Sequence, residues 1–433
     1  MAEFSHKRLQ DFVDDGEKMP PPVFVGRVDI LQHVLTKIRR TGEKMEGLPG
    51  NTTIIQGAPG AGKSSILSEM ERRAPSDINA RVVKVSNTDL EKNLPNVARA
   101  IAFAGACERE QWFDLWTRIG ASWIQRLPQM PNLQIPSYAD LTELQRTRPR
   151  SVWKAPVIVA VDEVQRFARN KCAPYAQFMQ QIHDASTTLP VTLVLAGLGD
   201  TQSVIRDLGL THGLRPFSVG GFDAKERDEL TDKWCAHFGI VIGAQRSRID
   251  NLMSRTDGWP RHLHWAQQAM AESLLTEGVD GDADRIPDWE VVQSRADGLR
   301  EGYYQTQYSE AMRYSPKLTG RILYDVGFAE RKGIPLDSAV LRKKLTSYCE
   351  KDKGGDFEIP PGHTPAEFVT HLVHCGALQE TVDGMGLTCP IPSFQSYILR
   401  RGGIDPDTLP NPSPTNTLVG QTENKREKKD GDN

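Results

Sequence analysis

One glycine-rich stretch carries the clearest chemical signal in the sequence. It matches the pattern G-x-x-x-x-G-K-[ST] in full. Its residues are Gly57, Ala58, Pro59, Gly60, Ala61, Gly62, Lys63 and Ser64, followed by Ser65. Glycines let such a loop wrap so that successive backbone N–H groups point at phosphate oxygens. In this arrangement Lys63 holds the β- and γ-phosphates of a nucleotide and Ser64 binds Mg²⁺.

The segments on either side of this loop support a nucleotide site. The apolar run 52–56 before it is typical of a buried strand, and 63–73 after it has the pattern of a helix. The N-terminus of that helix adds a partial positive charge that favours phosphate. The alternative is a plain glycine-rich turn, which the order of strand, loop, Lys-Ser pair and helix disfavours. The sequence therefore predicts binding of ATP and Mg²⁺ by the loop residues through Ser65.

A second apolar run ends in two carboxylates. Residues 157–161 are Val, Ile, Val, Ala and Val, and Asp162 and Glu163 follow. Asp162 can reach the metal through water, and Glu163 can polarise the attacking water as a general base. Alone, such a pair can equally begin a helix as its N-cap. Together with the glycine-rich loop, it predicts the hydrolytic half of the site.

Alternating strand and helix patterns give the fold class. The strand patterns, each followed by a helical one, are 52–56, 81–85, 157–161 and 191–196, and a short run at 215–219 could add a fifth. This alternation predicts an α/β fold with three layers, a parallel sheet with helices on both faces. Residues 224–275 show only helical patterns and predict a small helical lid.

A different kind of unit follows a polar, acidic linker at 277–288. Helix patterns at 317–330, 336–350 and 365–375 precede a hairpin signal at Asp383-Gly384, which together predict a winged helix. A capping box, Thr364 to Glu367, opens the third helix. The predicted domains are a flexible N-terminus (1–20), a core (21–222), a lid (223–276), a linker with connecting helix (277–314), a winged helix (315–401) and a disordered tail (402–433).

Composition limits the function classes without naming one. The chain has 433 residues, 38% hydrophobic and 25% charged, with a net charge of -3, so no overall positive field attracts it to nucleic acid or membrane. No apolar run approaches the roughly 20 residues of a membrane span, and the N-terminal segment is polar, which predicts a cytoplasmic protein. Its six cysteines form no C-x-x-C pair, which predicts reduced thiols rather than disulfides or a zinc site.

Four short motifs together resemble the AAA+ ATPase superfamily, in the branch that includes replication-initiator, transposition-regulator and STAND-type ATPases. They are Phe24-Val25-Gly26-Arg27, the loop at 57–64, Asp162-Glu163, and Gly258-Trp259-Pro260-Arg261. The resemblance covers about residues 20 to 275. It implies that Val25 and Gly26 line the pocket for the base. It also implies that Arg261 contacts the γ-phosphate from the lid.

The resemblance also implies three roles that the sequence assigns less directly. The polar sensor at the end of the fourth strand has no counterpart, because that strand ends at Gly197; Asp200 or Thr201 reaches in, or sensing is weakened. The arginine finger is Arg206 or Arg215, each of which could equally be an ordinary surface arginine. Asn87 resembles the residue that restrains the catalytic glutamate.

Two features bear on partners. The stripe Trp112, Trp116 and Trp123 predicts an amphipathic helix that either packs on the sheet or binds a partner. The winged helix has no Lys or Arg between Lys353 and Arg400, which argues against a DNA-binding wing. The basic cluster 342–344 could be another docking face or a solvated helix surface, and such modules also serve protein contacts.

These observations predict a Mg²⁺-dependent ATPase that acts as a nucleotide-dependent switch. Its expected partners are other copies of the same chain and a regulated protein, with DNA weakly supported and no membrane. The alternative is a STAND-like signalling or defence protein that holds nucleotide, turns over slowly and acts by partner binding.

Overall fold

The computed structural model describes the greater part of the chain. The described residues are 4–15, 20–44, 48, 50–85, 155–165, 179–180, 182–184, 186–187, 190–207, 209–276, 282–286, 288–309, 316–334, 336–351, 357, 359, 363–381 and 386–410. The chain divides into two compact units, Met1–Glu301 and Gly302–Asn433. Asn87 and the tryptophan stripe lie outside the described residues.

The first unit contains a sheet and its helices. Its strands are β1 (Thr52–Gln56), β2 (Arg81–Val85), β3 (Val157–Val161), β4 (Val191–Gly197) and β5 (Leu214–Ser218). Its helices are α1 (His6–Asp15), α2 (Val28–Lys44), α3 (Lys63–Ile78), α4 (Thr201–Asp207), α5 (Ala224–Phe238), α6 (Arg246–Ser254) and α7 (Pro260–Thr276), with α8 (Trp289–Gln307) crossing the boundary between units. The predicted strands are confirmed to within one residue.

The sheet is parallel throughout, with the strand order β2-β3-β4-β1-β5. Every residue of β1, β3 and β4 is buried, which explains their continuous apolar or β-branched character. From β1 the chain crosses to the far edge at β2, and it then returns through β3 and β4 to β5. Because such crossovers are right-handed, this reversal places helices on both faces. The predicted three-layer α/β fold is therefore confirmed.

The helical lid has its own apolar core. It is built by Trp234 and Phe238 of α5, Leu263 and Met270 of α7, and Phe12 of α1, all less than a tenth exposed. The sequence prediction of a flexible N-terminus was therefore wrong for α1. Leu9 and Phe12, three positions apart, face one side of that helix and bury against the lid.

The linker segment also has described structure. Residues 283–285 form a short 3₁₀ turn, and the Ala283 N–H donates to the Val241 carbonyl at 3.0 Å. The Asp284 carboxylate accepts from the Ala244 N–H at 2.9 Å. These two bonds attach the segment to the start of α6.

The second unit has the layout of a winged helix. It contains α9 (Pro316–Arg331), α10 (Ser338–Lys351), α11 (Pro365–His374), the hairpin β6 (Gln379–Glu380) and β7 (Leu387–Thr388), and α12 (Pro392–Arg401). The Thr364–Glu367 capping box is confirmed, with both of its hydrogen bonds formed. The core includes Ile322, Leu341, Phe368 and Phe394.

The composition of the tail misled the prediction over its first residues. Leu409 is buried, the Tyr324 hydroxyl donates to the Thr408 carbonyl at 3.4 Å, and Arg331 donates to the Pro410 carbonyl at 3.1 Å. These residues therefore pack on α9. One apolar side chain and two backbone carbonyls make the contact, and neither feature stands out in the composition of the tail. Among the described residues, no helix is both long and apolar enough to cross a membrane.

Candidate nucleotide site

The phosphate loop connects the end of β1 to the start of α3. Lys63 is the first residue of α3 and is buried, although it carries an ammonium group. That group donates to the Gly57 carbonyl at 2.8 Å and the Ala58 carbonyl at 3.1 Å. Burial lowers the pKa of Lys63, and the nearby Glu163 and Asp162 partly oppose that effect. The loop thus holds a desolvated cation beside backbone N–H groups, an arrangement that suits an anionic ligand.

Asp162 and Ser64 meet across the sheet edge. The Ser64 hydroxyl donates to Asp162 Oδ2 at 2.7 Å, and the other carboxylate oxygen accepts from the Glu163 N–H at 2.9 Å. The Asp162 N–H itself donates to the Val85 carbonyl at 3.1 Å, which fixes the turn after β3. A hydroxyl and a carboxylate in contact are the hard oxygen donors that Mg²⁺ prefers. These two residues therefore fit the predicted magnesium site.

Glu163 has an unusual backbone conformation. Its φ is 55°, in the left-handed region that a non-glycine residue enters only at a cost in free energy. Its Oε2 accepts a hydrogen bond from Gln165 Nε2 at 2.7 Å. The glutamate is therefore held at both its backbone and its carboxylate, close to Asp162.

The lid touches the phosphate loop directly. The Trp259 indole donates to the Pro59 carbonyl at 3.1 Å, and the Arg261 N–H donates to the Gly60 carbonyl at 3.2 Å. Gly60 has a φ of 80°, and a Cβ added there would lie 2.9 Å from the Arg261 Cβ. Glycine is thus required both by the backbone conformation and by the closeness of the lid. The Trp259–Arg261 motif therefore lies against the phosphate loop.

The segment Val25–Arg27 connects the start of α2 to the lid. Val25 is buried, and a Cβ added at Gly26 would lie 2.7 Å from Glu226 Oε1. Arg27 donates to the Gly220 carbonyl, and its guanidinium lies 4.8 Å from the centre of the Phe222 ring. Burial lowers the pKa of Arg27. The segment therefore borders the junction of the sheet and α5.

The remaining predicted residues lie on different elements. Thr201 does not extend towards the carboxylates, because its hydroxyl donates to the Leu198 carbonyl at 2.5 Å; Asp200 is buried beside it. Arg206 is exposed in the last turn of α4. Arg215 is exposed in β5, where it pairs with Thr53 towards the amino-terminal half of β1.

The topology explains why these groups meet. Gln56, at the end of β1, pairs with Gly197, at the end of β4, and Val161 of β3 pairs with Leu195. The phosphate loop and Asp162-Glu163 therefore leave the same carboxyl edge, where β1 and β4 lead in opposite directions along the sheet. Ligands of open α/β sheets bind at such a switch point. This chain has a three-layer α/β architecture with a phosphate loop at its switch point.

No protein-family model and no curated protein matches this chain. Its fold is similar to solved structures at low identity. The Walker-type ATPase PABY2304 of Pyrococcus abyssi is 16% identical with a TM-score of 0.46, covering 86% of this chain and 97% of that one. The ORC2 protein of Aeropyrum pernix is 14% identical with a TM-score of 0.49, covering 92% and 99%. Thermotoga maritima RuvB is 15% identical with a TM-score of 0.40, covering 86% and 95%.

Because these scores are low, the architecture rests on the sheet order and the site geometry. Sequence reasoning predicted the phosphate loop and both carboxylates, which lie at one edge of the sheet, and it did not single out Gln165, which contacts Glu163. The available signal was weak: a polar residue two positions after Glu163, next to Val164, which is fully buried.

Proposed function

We propose that this chain is an AAA+ ATPase that binds Mg²⁺ and ATP and hydrolyses the nucleotide as a switch that regulates a partner. The observation that carries the proposal is the hydrogen bond of 2.7 Å between Ser64 and Asp162, beside the buried cation of Lys63. It brings together oxygen donors for a metal and a positive charge for phosphate. Bound at Ser64 and Asp162, Mg²⁺ would neutralise part of the negative charge on the phosphates.

The residues of the chain have separable roles in hydrolysis. The loop N–H groups from Gly57 to Ser65 and the Lys63 ammonium bind the β- and γ-phosphates. Glu163 accepts the proton of a water whose oxygen attacks the γ-phosphorus. The bond from that phosphorus to the bridging oxygen breaks, and ADP and inorganic phosphate leave. Val25 and Gly26 border the base.

Lid contacts would convert this chemistry into movement. Trp259 and Arg261 bond to the backbone of the loop that binds the phosphates. A change at the γ-phosphate therefore alters contacts that the lid already makes, and the Arg261 side chain reports that change. Movement of the lid would in turn move the segments or the partner that contact it.

Self-association and a protein partner complete the proposal. An arginine on one copy, Arg206 or Arg215, would reach the γ-phosphate of another copy. The winged helix favours a protein partner over DNA because the stretch from 354 to 399 has no Lys or Arg. The turnover experiment is nevertheless also carried out with double-stranded DNA present.

The test is ATP turnover by the wild type and Glu163→Gln over a range of protein concentrations, each with and without double-stranded DNA. We expect specific activity to rise with concentration in the wild type and to be lost in the variant. Gln395→Leu, which removes a buried amide from the second unit, is the control and should retain turnover. Wild-type turnover no higher than that of Glu163→Gln would contradict hydrolysis at this site.

A second candidate function is a STAND-like protein that holds nucleotide and acts by partner binding with slow turnover. The two lid-to-loop hydrogen bonds favour it, because a lid held against the loop slows nucleotide exchange. Tight ATP binding with flat, near-zero turnover at every concentration would select this function over the first.

A further inference from the structure

Gln165 connects Glu163 to the sheet. Its Nε2 donates to Glu163 Oε2 at 2.7 Å, and its Oε1 accepts from the Leu198 N–H at 3.1 Å. The residue is only 1% exposed, so neither bond competes with water. A buried amide with partners at both ends has little freedom to rotate, and it therefore fixes the carboxylate oxygen that it contacts.

The bond to Leu198 joins the glutamate to the phosphate loop. Gly197 and Leu198 share one peptide group, whose N–H donates to Gln165. The carbonyl of the same peptide accepts from the Gly57 N–H at 3.2 Å. One rigid, planar group thus contacts the first residue of the phosphate loop on one side and Gln165 on the other. The position of the Glu163 carboxylate is thereby tied to the position of the loop.

Gly197 leaves the space that Gln165 fills. A Cβ added at Gly197 would lie 2.5 Å from Gln165 Oε1 and 2.3 Å from Thr201 Oγ1. Its φ is not positive, so packing rather than backbone conformation requires glycine here. A side chain on the last residue of β4 and the amide of Gln165 exclude one another.

We propose that Gln165 is the positioning residue for Glu163 in hydrolysis and takes the place of the polar side chain that β4 lacks. This inference rests on the proposed function. Glu163 has a left-handed backbone and a partly exposed side chain, so it needs an external anchor to keep one orientation. Thr201 cannot supply it, because its hydroxyl donates to the Leu198 carbonyl.

The test combines Gln165→Met with Glu163→Gln in a double-mutant cycle. Gln165→Met keeps the length of the side chain and removes both polar atoms. We expect kcat to fall about 10- to 100-fold, the range for losing a hydrogen bond to an ionised group, with KM for ATP within about twofold. In the Glu163→Gln background the same substitution should change the residual single-turnover rate by less than about twofold, because the group it positions is already gone.

Two controls separate positioning from folding. Gln395→Met removes a buried amide that donates to the Leu323 carbonyl in the second unit, and it should leave kcat unchanged. Gln165→Asn keeps the amide but is one methylene too short to span both partners, and it should lose kcat as Gln165→Met does. Gln165→Asn also tests the positioning role if Gln165→Met does not fold.

The outcomes distinguish this inference from the proposed function. Unchanged or higher kcat in folded Gln165→Met, or an equal fractional loss in both backgrounds, would overturn the positioning role while leaving hydrolysis by Glu163 intact. If the wild type turned over ATP no faster than Glu163→Gln, the proposed function itself would fail first.

Discussion

At the scale of single residues, Lys63 shows how the fold prepares a phosphate site. Its ammonium is buried and bonded only to loop carbonyls among the described contacts, and burial lowers its pKa. Phosphate oxygens would supply the negative charge that this environment lacks. Binding of nucleotide and retention of the charge on Lys63 therefore favour one another.

We predict that Lys63→Ala weakens ATP binding by about 10- to 100-fold, the value of a charge-assisted hydrogen bond. Calorimetric titration with ATP measures it. Lys37→Ala is a matched control, because Lys37 also donates to a backbone carbonyl, that of Gly50 at 2.7 Å, but lies away from the loop. Equal affinity in the wild type and Lys63→Ala would refute the role of the lysine.

His262 gives a prediction for pH. Burial lowers its pKa to about 3, and the charges of Arg300 and Arg261 act in the same direction. The unfolded chain, with an ordinary histidine pKa near 6.5, binds the proton more readily. The contribution of neutral, buried His262 to the free energy of unfolding is therefore complete above about pH 6.5. This contribution is lost progressively as the pH falls towards 3.

The variant His262→Gln tests this pH dependence, with unfolding by urea measured from pH 7 to pH 4. We expect the wild type to lose more free energy of unfolding than the variant, by up to about 1.4 kcal/mol per pH unit in that range. The exposed His6→Gln should follow the wild type. Parallel curves for wild type and His262→Gln would show that His262 does not titrate as described.

At the scale of elements, the lid and the phosphate loop meet through backbone acceptors. The Trp259 indole is the side-chain donor in that contact, and Pro59, which carries the acceptor, has no N–H of its own. The resemblance to a known family predicted that the motif at 258–261 lies near the bound phosphates. The individual bonds depend on the angle at which α7 meets the loop, which no local pattern encodes.

We predict that Trp259→Phe speeds release of a fluorescent ADP analogue by about five- to tenfold, the effect of one neutral hydrogen bond. Stopped-flow displacement measures the rate. Trp234→Phe is the matched control: it also removes a buried indole N–H, but one without a hydrogen-bond partner in the described part of the chain. Release unchanged in Trp259→Phe, or equally faster in both variants, would contradict the proposed lid contact.

The elements also show what sequence could and could not predict. Apolar, β-branched runs located β1, β3 and β4 because these strands are buried on both faces. Helix α1 was missed because its two buried side chains, Leu9 and Phe12, are separated by the polar Gln10 and Asp11 and gain their partners only in the lid. Gln165 was missed for a related reason: its partner Leu198 becomes a neighbour only when β3 and β4 pair.

At the scale of the whole molecule, the arrangement favours Arg206 over Arg215 for the proposed contact with another copy. Helix α4 follows the carboxyl end of β4, on the side of the sheet where the nucleotide site lies. Arg215 instead pairs with Thr53, towards the opposite edge.

We predict that Arg206→Ala lowers turnover by about a thousandfold. An equal mixture of Arg206→Ala and Glu163→Gln should recover activity, because each supplies what the other lacks. Arg215→Ala should retain turnover. If the mixture recovered no turnover at concentrations where the wild type is fully active, this result would argue against a contact between copies.

The proposed function depends on Glu163 activating the water that attacks ATP held by Lys63, Ser64 and Asp162. The most direct measurement is single-turnover phosphate release by wild type and Glu163→Gln, with ATP occupancy matched by measured affinity. We predict similar ATP affinity and a loss of phosphate release of at least about 100-fold in the variant, as for removal of a general base. Equal rates of phosphate release at equal occupancy would contradict the claim.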